Sequence, residues 1–212
     1  MHESATSCTL AFLAKTVSFP EADAEFGLSS VLPAYDEEEN VVVVEPGTHE
    51  ASVLNLDQAS YVVDGDLELD GTVWSAEEGT FLFVKGNLTV GNLIIGGPIV
   101  HVTGSLTAKH AIHTDYNHGS LTVLGDVRAT VIAAEHLFGI GGALHCDTTI
   151  DFGGFQVADA EFTPTLTRQQ AARESRDWLV PEVLNDHGYV DGGTLAKLLA
   201  DGRNPLRKRP GD

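Results

Sequence analysis

Residues 61–71, YVVDGDLELDG, decide how this chain is read, because the same arrangement returns three times: FLFVKGNLTVGN from residue 81, IVHVTGSLTAKH from 99 and LTVLGDVRATVI from 121. The shared pattern is apolar-x-x-Gly-(Asp/Asn/Ser)-(Leu/Val)-x-(apolar or Ala), with glycines at Gly65, Gly86, Gly104 and Gly125, spaced by 21, 18 and 21 residues. A fifth, degenerate copy is read in ALHCDTTIDFGG from 143, where Cys146 and Asp147 take the Gly-Asp position. This period matches one coil of a parallel β-solenoid, each coil stacked about 4.8 Å from the next. Alternation within the first copy turns Val63, Leu67 and Leu69 inward and Asp64, Asp66, Glu68 and Asp70 outward. Glycine suits the bends, where a positive φ or close backbone approach excludes a side chain. An antiparallel sandwich with regular turns is the competing reading; the return of the motif at a matching position favours the solenoid.

The fold expected is therefore mainly β: a parallel β-solenoid (β-helix) of about five coils over residues 61–155, an acidic N-terminal capping segment at 1–60 and a C-terminal helical segment at 156–212 with a basic tail. A solenoid exposes backbone groups and apolar side chains at both ends, so the flanks are read as covers. Within them, VVVVEPG reads as a strand closing against the first coil. Thr167-x-x-Gln170 is a capping-box pattern opening a helix that Pro181 kinks or restarts. A second helix is expected from about Thr194 to Ala200, with Leu195, Leu198 and Leu199 on one face and Gly202 as a stop.

Charge is divided unevenly along the 212 residues, whose formal net charge is −19. Residues 1–60 carry eleven acids and one base, 61–167 thirteen acids and three bases, and 168–212 seven acids and eight bases. Such a surface repels nucleic acid and lipid headgroups and attracts basic partners. Asp36, Glu37, Glu38 and Glu39 form an unbroken acidic run, and the outward row Asp64, Asp66, Glu68 and Asp70 self-repels unless a cation meets it. Cys8 and Cys146 lack metal-type spacing and read as free thiols of a reducing cytosol. The apolar run CTLAFLA is too short to span a membrane and has no basic segment before it, so a cytoplasmic location is expected.

The stretch AKHAIHTDYNHGS, residues 108–120, holds His110, His113 and His118 and is placed at a coil corner or loop. The spacing His113-x4-His118 is similar to that of the left-handed β-helix carbonic anhydrases, which implies a zinc-dependent solenoid enzyme as one alternative. The strict six-residue repeat of that family is missing, and exposed loop histidines beside Asn117 and Gly119 are the plainer explanation. No nucleophile elbow, phosphate loop or His-Glu-x-x-His helix is present, and no carboxylate pair stands out. The sequence thus predicts no catalytic residue, metal or cofactor.

Over residues 61–142 the short coils with Gly-Asp/Asn/Ser-Leu motifs resemble those of bactofilins, whose solenoids polymerise end to end; that likeness implies a cytoskeletal scaffold. In overall type the chain resembles small acidic bacterial immunity proteins, which neutralise toxins of type VI and related secretion systems. The leading expectation is a binding protein that inhibits a basic toxin, such as a secreted nuclease, by filling its phosphate-binding cleft with carboxylates. The partner-binding residues expected are Asp36, Glu37, Glu38, Glu39, Asp64, Asp66, Glu68 and Asp70, with Glu77 and Glu78 nearby.

Overall fold

Each repeat glycine lies on the glycine of the coil beneath it. A Cβ on Gly86 would come 2.5 Å from the carbonyl carbon of Gly65, one on Gly104 2.7 Å from that of Gly86, and one on Gly125 2.8 Å from that of Gly104. Close approach fixes glycine at these three positions, while Gly65 at the foot of the column also takes a positive φ of 146°. The column continues to Gly142, where a Cβ would meet the carbonyl carbon of Gly125 at 2.6 Å. Gly142, rather than Cys146, is therefore the fifth glycine of the repeat. Ile140 pairs with Val123 and Leu144 with Val127, whereas Cys146 pairs with Ala129 within a strand.

The residue after each glycine builds a second column. Asp66 Oδ1 accepts from the backbone N–H of Asn87 at 2.7 Å, Asn87 Oδ1 from that of Ser105 at 2.9 Å, Ser105 Oγ from that of Asp126 at 3.2 Å, and Asp126 Oδ1 from that of Ala143 at 3.0 Å. The choice of Asp, Asn or Ser thus follows from the need for a short side chain whose oxygen reaches the N–H one coil on.

The computed structural model describes residues 14–32, 40–49, 52–115, 118–157 and 162–207. The ladder is a parallel β-solenoid of about six coils, one more than expected. The additional coil is β2 (Asn40–Val44), β3 (Gly47–His49) and β4 (Val53–Asn55), inside the segment read as a cap. The next is β5 (Ser60–Val63), β6 (Leu67–Leu69) and β7 (Thr72–Ser75). Four coils of two strands follow: β8 (Phe81–Val84) with β9 (Leu88–Ile95), β10 (Ile99–Val102) with β11 (Leu106–Thr114), β12 (Ser120–Val123) with β13 (Val127–Ala134), and β14 (Leu137–Ile140) with β15 (Leu144–Asp151). A last strand, β16 (Phe155–Val157), pairs with β14. Strands β2, β5, β8, β10, β12, β14 and β16 make face A, and the others named so far make face B.

Matching positions stack along the axis, which explains the periodic apolar pattern. Val63, Val84, Val102, Val123 and Ile140 form one interior row, and Leu67, Leu88, Leu106, Val127 and Leu144 another. All but the terminal Leu144 are buried, and Val63, Leu67 and Leu69 point inward as expected. In β11 the register shifts between Ala108 and Ala111 relative to both neighbours, so Lys109 and His110 form a bulge.

The flanking segments cover the sides of the ladder as well as parts of its ends, where Ala14–Ser18 pairs with β2 and Leu166 bridges Ile150. β1 (Ala14–Ser18) pairs antiparallel with β2 and closes face A at its N-terminal margin. The following helix α1 (Phe19–Phe26) lies on the outside of face A, where Phe19, Ala22 and Phe26 pack with Val41, Val62, Phe81 and Phe83. Three C-terminal helices, α2 (Arg168–Arg173), α3 (Ser175–Trp178) and α4 (Gly192–Ala200), serve face B. Ile94, Ala111, Val131, Ala133 and Ile150 turn outward there and are buried by Leu179, Leu195, Leu198 and Leu199. The runs Leu93–Ile95 and Val131–Ala134 are apolar on both faces for this reason. Asn92 secures the join, donating from Nδ2 to the Ala200 carbonyl at 3.2 Å and accepting the Ala111 N–H at Oδ1. The helix expected from Thr167 is interrupted after Arg173 and gives way to extended backbone at Leu179, two residues before Pro181.

Candidate functional site

The outward acidic row is present on one edge of the second coil. Asp64, Asp66, Glu68 and Asp70 are all exposed. The chain itself supplies partners: Asp64 pairs with Lys85 at 3.2 Å, Asp70 with Lys109 at 2.6 Å, and Glu68 accepts from Thr48 Oγ1 at 3.1 Å. Asp66 is a rung of the Asx column, accepting from both the backbone N–H and the side-chain amide of Asn87. The β11 bulge is what carries Lys109 to Asp70, two coils away, and that contact raises the Lys109 pKa. Glu77 and Glu78 are exposed in the turn after β7, at the opposite margin of face B from the Asp64–Asp66 turn. Their backbone is held by Asp57, whose Oδ1 accepts the N–H groups of Ala76 and Glu77 at 3.1 Å each. The structure thus brings four of the predicted residues together and separates Glu77 and Glu78 from them. Asp36, Glu37, Glu38 and Glu39 lie outside the described residues.

The three histidines do not converge. His110 and His113 belong to β11 rather than to a loop; His110 is exposed near Gly202, and His118 is exposed with a φ of 60°. His113 is 1% exposed, because α4 covers its side of face B. Among the described residues no group of three or more His, Cys, Asp or Glu is arranged to hold a metal ion. Cys146 is half-buried, and burial pushes its thiol up to about 11, so it is a poor nucleophile.

A cleft of 530 Å³ opens where face B meets the C-terminal segment, lined by His113, Asp115, Glu135, Phe152, Arg168, Tyr189 and the start of α4. A second hollow of 230 Å³, bordered by Trp74, Ile94 and Ala196, adjoins it through His113 and Asp115. Two carboxyls meet in the main cleft because the coils stack. The Asp115 N–H donates to the Ile95 carbonyl at 2.8 Å and the Glu135 N–H to the Thr114 carbonyl at 2.9 Å, so Glu135 stands one coil beyond Asp115. Burial first, then the charge of Asp115 and a side-chain hydrogen bond with it, raise the Glu135 pKa; Arg168 opposes them. Each of the first three effects favours the protonated form of Glu135.

His113 adds an unusual acceptor. Its Nδ1 lies 3.2 Å from the Ala133 carbonyl, which can only accept, so Nδ1 carries the hydrogen. Burial lowers its pKa and keeps the ring neutral, which leaves Nε2 as a bare lone pair that finds no partner in the protein. His136 shows the same pattern: Nδ1 is 3.2 Å from the Leu137 carbonyl, Nε2 is buried without a partner, and burial lowers the pKa.

Sequence reasoning reached His113 but neither Glu135, 22 positions later, nor Arg168. The available signal was the coil period itself, which places Asp115 and Glu135 in register once the β11 bulge is counted. No helix among the described residues is long and apolar enough to cross a membrane. No family model, curated protein or solved structure matches the chain.

Proposed function

We propose that this is an acidic binding protein that neutralises a basic partner, as an immunity protein does when it occludes the active-site cleft of a bacterial toxin such as a secreted nuclease. The observation that carries this reading is the edge of the second coil, where Asp64, Asp66, Glu68 and Asp70 are exposed on backbone hydrogen-bonded to coils on both sides. Asp66, Glu68 and Asp70 alternate through β6 and its two flanking residues, about 7 Å apart, and Asp64 lies across the Gly65 bend. The ion pairs with Lys85 and Lys109 are exposed and weak, so Lys or Arg of a partner can replace them. Basic clefts complement such an edge and are steered towards it at low salt.

Reversing Asp64, Glu68 and Asp70 to lysine, with Asp66 kept as a structural rung, tests the proposal. Protection of cells against a nuclease toxin that the unaltered chain neutralises should be lost while the circular dichroism spectrum is retained. Full protection by the folded triple variant would overturn it.

A second reading is end-to-end assembly of bactofilin-like solenoids. It is favoured by the last coil, where Leu144–Asp147 of β15 have no further strand beyond them among the described residues. Sedimentation velocity separates the two readings, since a polymer grows with concentration and an inhibitor sediments as one discrete species.

A further inference from the structure

Two imidazoles are sealed where face B meets the C-terminal segment, with no place for a second proton. His113 is 1% exposed and His136 5%. In each ring Nδ1 faces a backbone carbonyl, which only accepts, so the one ring hydrogen of the neutral form sits there and any further proton must go to Nε2. Both Nε2 atoms are buried and meet no hydrogen-bond partner in the protein. A proton there creates a buried cation facing no acceptor, which costs far more than the bare lone pair. Once charged, the two rings also repel each other.

The cover over them is lightly seated. Helix α4 has nine residues, a length with little stability of its own, and the hollows of 530 and 230 Å³ that share His113 lie along its join with face B. Voids along an interface forfeit packing contacts. Leu195, Leu198 and Leu199 on the outward apolar row hold α4 in place, together with the hydrogen bond from Asn92 to the Ala200 carbonyl. The interior rows of the ladder form a separate apolar cluster to which the C-terminal helices contribute nothing, so the coils keep their own core if the cover leaves.

We propose that the C-terminal cover is an acid-released device: protonation of His113 and His136 detaches α4 from face B and bares the outward row of Ile94, Ala111, Val131, Ala133 and Ile150, while the coils beneath stay folded. Burial lowers both imidazole pKa values in the closed form, so opening takes up protons. It grows easier below about pH 6.5, by up to about tenfold per pH unit for each ring, until the closed values are reached. The charge of Asp115 favours a charged His113, but burial outweighs it. Glu135, hydrogen-bonded to Asp115, acts against opening, because its raised pKa makes the closed form bind a proton as pH falls. Two groups thus oppose one. The remaining neighbours are Arg168 of α2 and Tyr189 at the rim of the cleft. Asp151 Oδ1 is occupied by the Gly153 N–H at 2.6 Å and Asp191 Oδ1 by the Thr194 N–H at 2.8 Å, while Lys197 and Asp201 are exposed. The proposal does not depend on the acidic edge of the second coil.

Hydrogen exchange on the full chain, read by mass spectrometry and corrected for the intrinsic rate at each pH, tests it. Protection of α4 should fall about tenfold or more between about pH 6.5 and 5.5, with that of β8 and β10 unchanged. In a variant carrying both His113→Gln and His136→Gln the fall should disappear. Glu135→Gln should steepen it, because the opposing group is gone; this variant keeps the test informative if the double variant folds poorly. Unchanged α4 protection on acidification, loss of protection in β8 and β10 together with α4, a fall that survives in the folded double variant, or a slope that Glu135→Gln leaves unaltered would each overturn the proposal.

Discussion

Asp66 Oδ1 lies 2.7 Å from the backbone nitrogen of Asn87, one coil along the ladder, and so joins coils as well as facing solvent. Four such links connect the five glycine-bearing turns from Asp66 to Ala143. Replacing Asn87 with alanine removes the acceptor for Ser105 N–H and should cost about 1 kcal/mol in urea unfolding. Asp126 adds a pH dependence. The Ala143 N–H first, and then Arg128, lower its pKa in the folded chain, so its contribution is present above the unfolded value, about 3.9, and lost as pH falls through the lower folded value. Asp126→Asn should flatten the stability curve below about pH 4.

Stacked glycines give the sharpest contrast between two substitutions of the same kind. Gly104→Ala drives a methyl into the Gly86 backbone and should destabilise by about 1–3 kcal/mol or more. Gly139→Ala meets nothing nearer than Thr122 Oγ1 at 4.0 Å and should be neutral or stabilising by about 0.4–1 kcal/mol. Paired urea midpoints measure the difference; equal effects would mean that the column is not close-packed.

Acid should weaken the fold through its buried imidazoles. Burial lowers the pKa values of His113 and His136, so the unfolded chain takes up protons that the folded chain refuses. Stability is unaffected by these groups above about pH 6.5 and falls as pH drops below it, until the folded pKa is reached. Glu135 has the opposite sign: its raised pKa favours the fold at low pH, and that contribution is lost as pH rises through the folded value. Unfolding of His113→Gln in a Glu135→Gln background should therefore show a shallower loss between about pH 7.5 and 5.5 than Glu135→Gln alone.

Removal of the side support should be local in structure and large in energy. Leu199 is fully buried between α4 and the outer rows of face B, so Leu199→Ala should cost about 2–5 kcal/mol. Hydrogen exchange should rise first in α4 and the Ala200–Asn92 join, with Val84 and Val102 still protected.

The period of Gly65, Gly86, Gly104 and Gly125, the inward set Val63, Leu67 and Leu69, and the excess of acid over base were all legible in the chain, because strand alternation and coil length are local properties that repeat. The first coil was not, since Pro46 takes the place beneath Gly65 and the Gly-Asx motif is absent there. Gly142 was misaligned because Ala143 presents an N–H to the column without a side-chain oxygen of its own, so the motif lost its second letter.

The sequence by itself determined a repeating β-ladder and a strongly acidic surface, since both follow from residue type and spacing. Tertiary structure decided which charges meet. Lys109 reaches Asp70 only through a one-strand bulge, and Asp115, Glu135, His113 and Arg168 meet only when stacking fixes the register and five outward apolar positions draw the C-terminal helices onto face B. Register and docking are sums over many distant contacts, and no single stretch of the chain contains them.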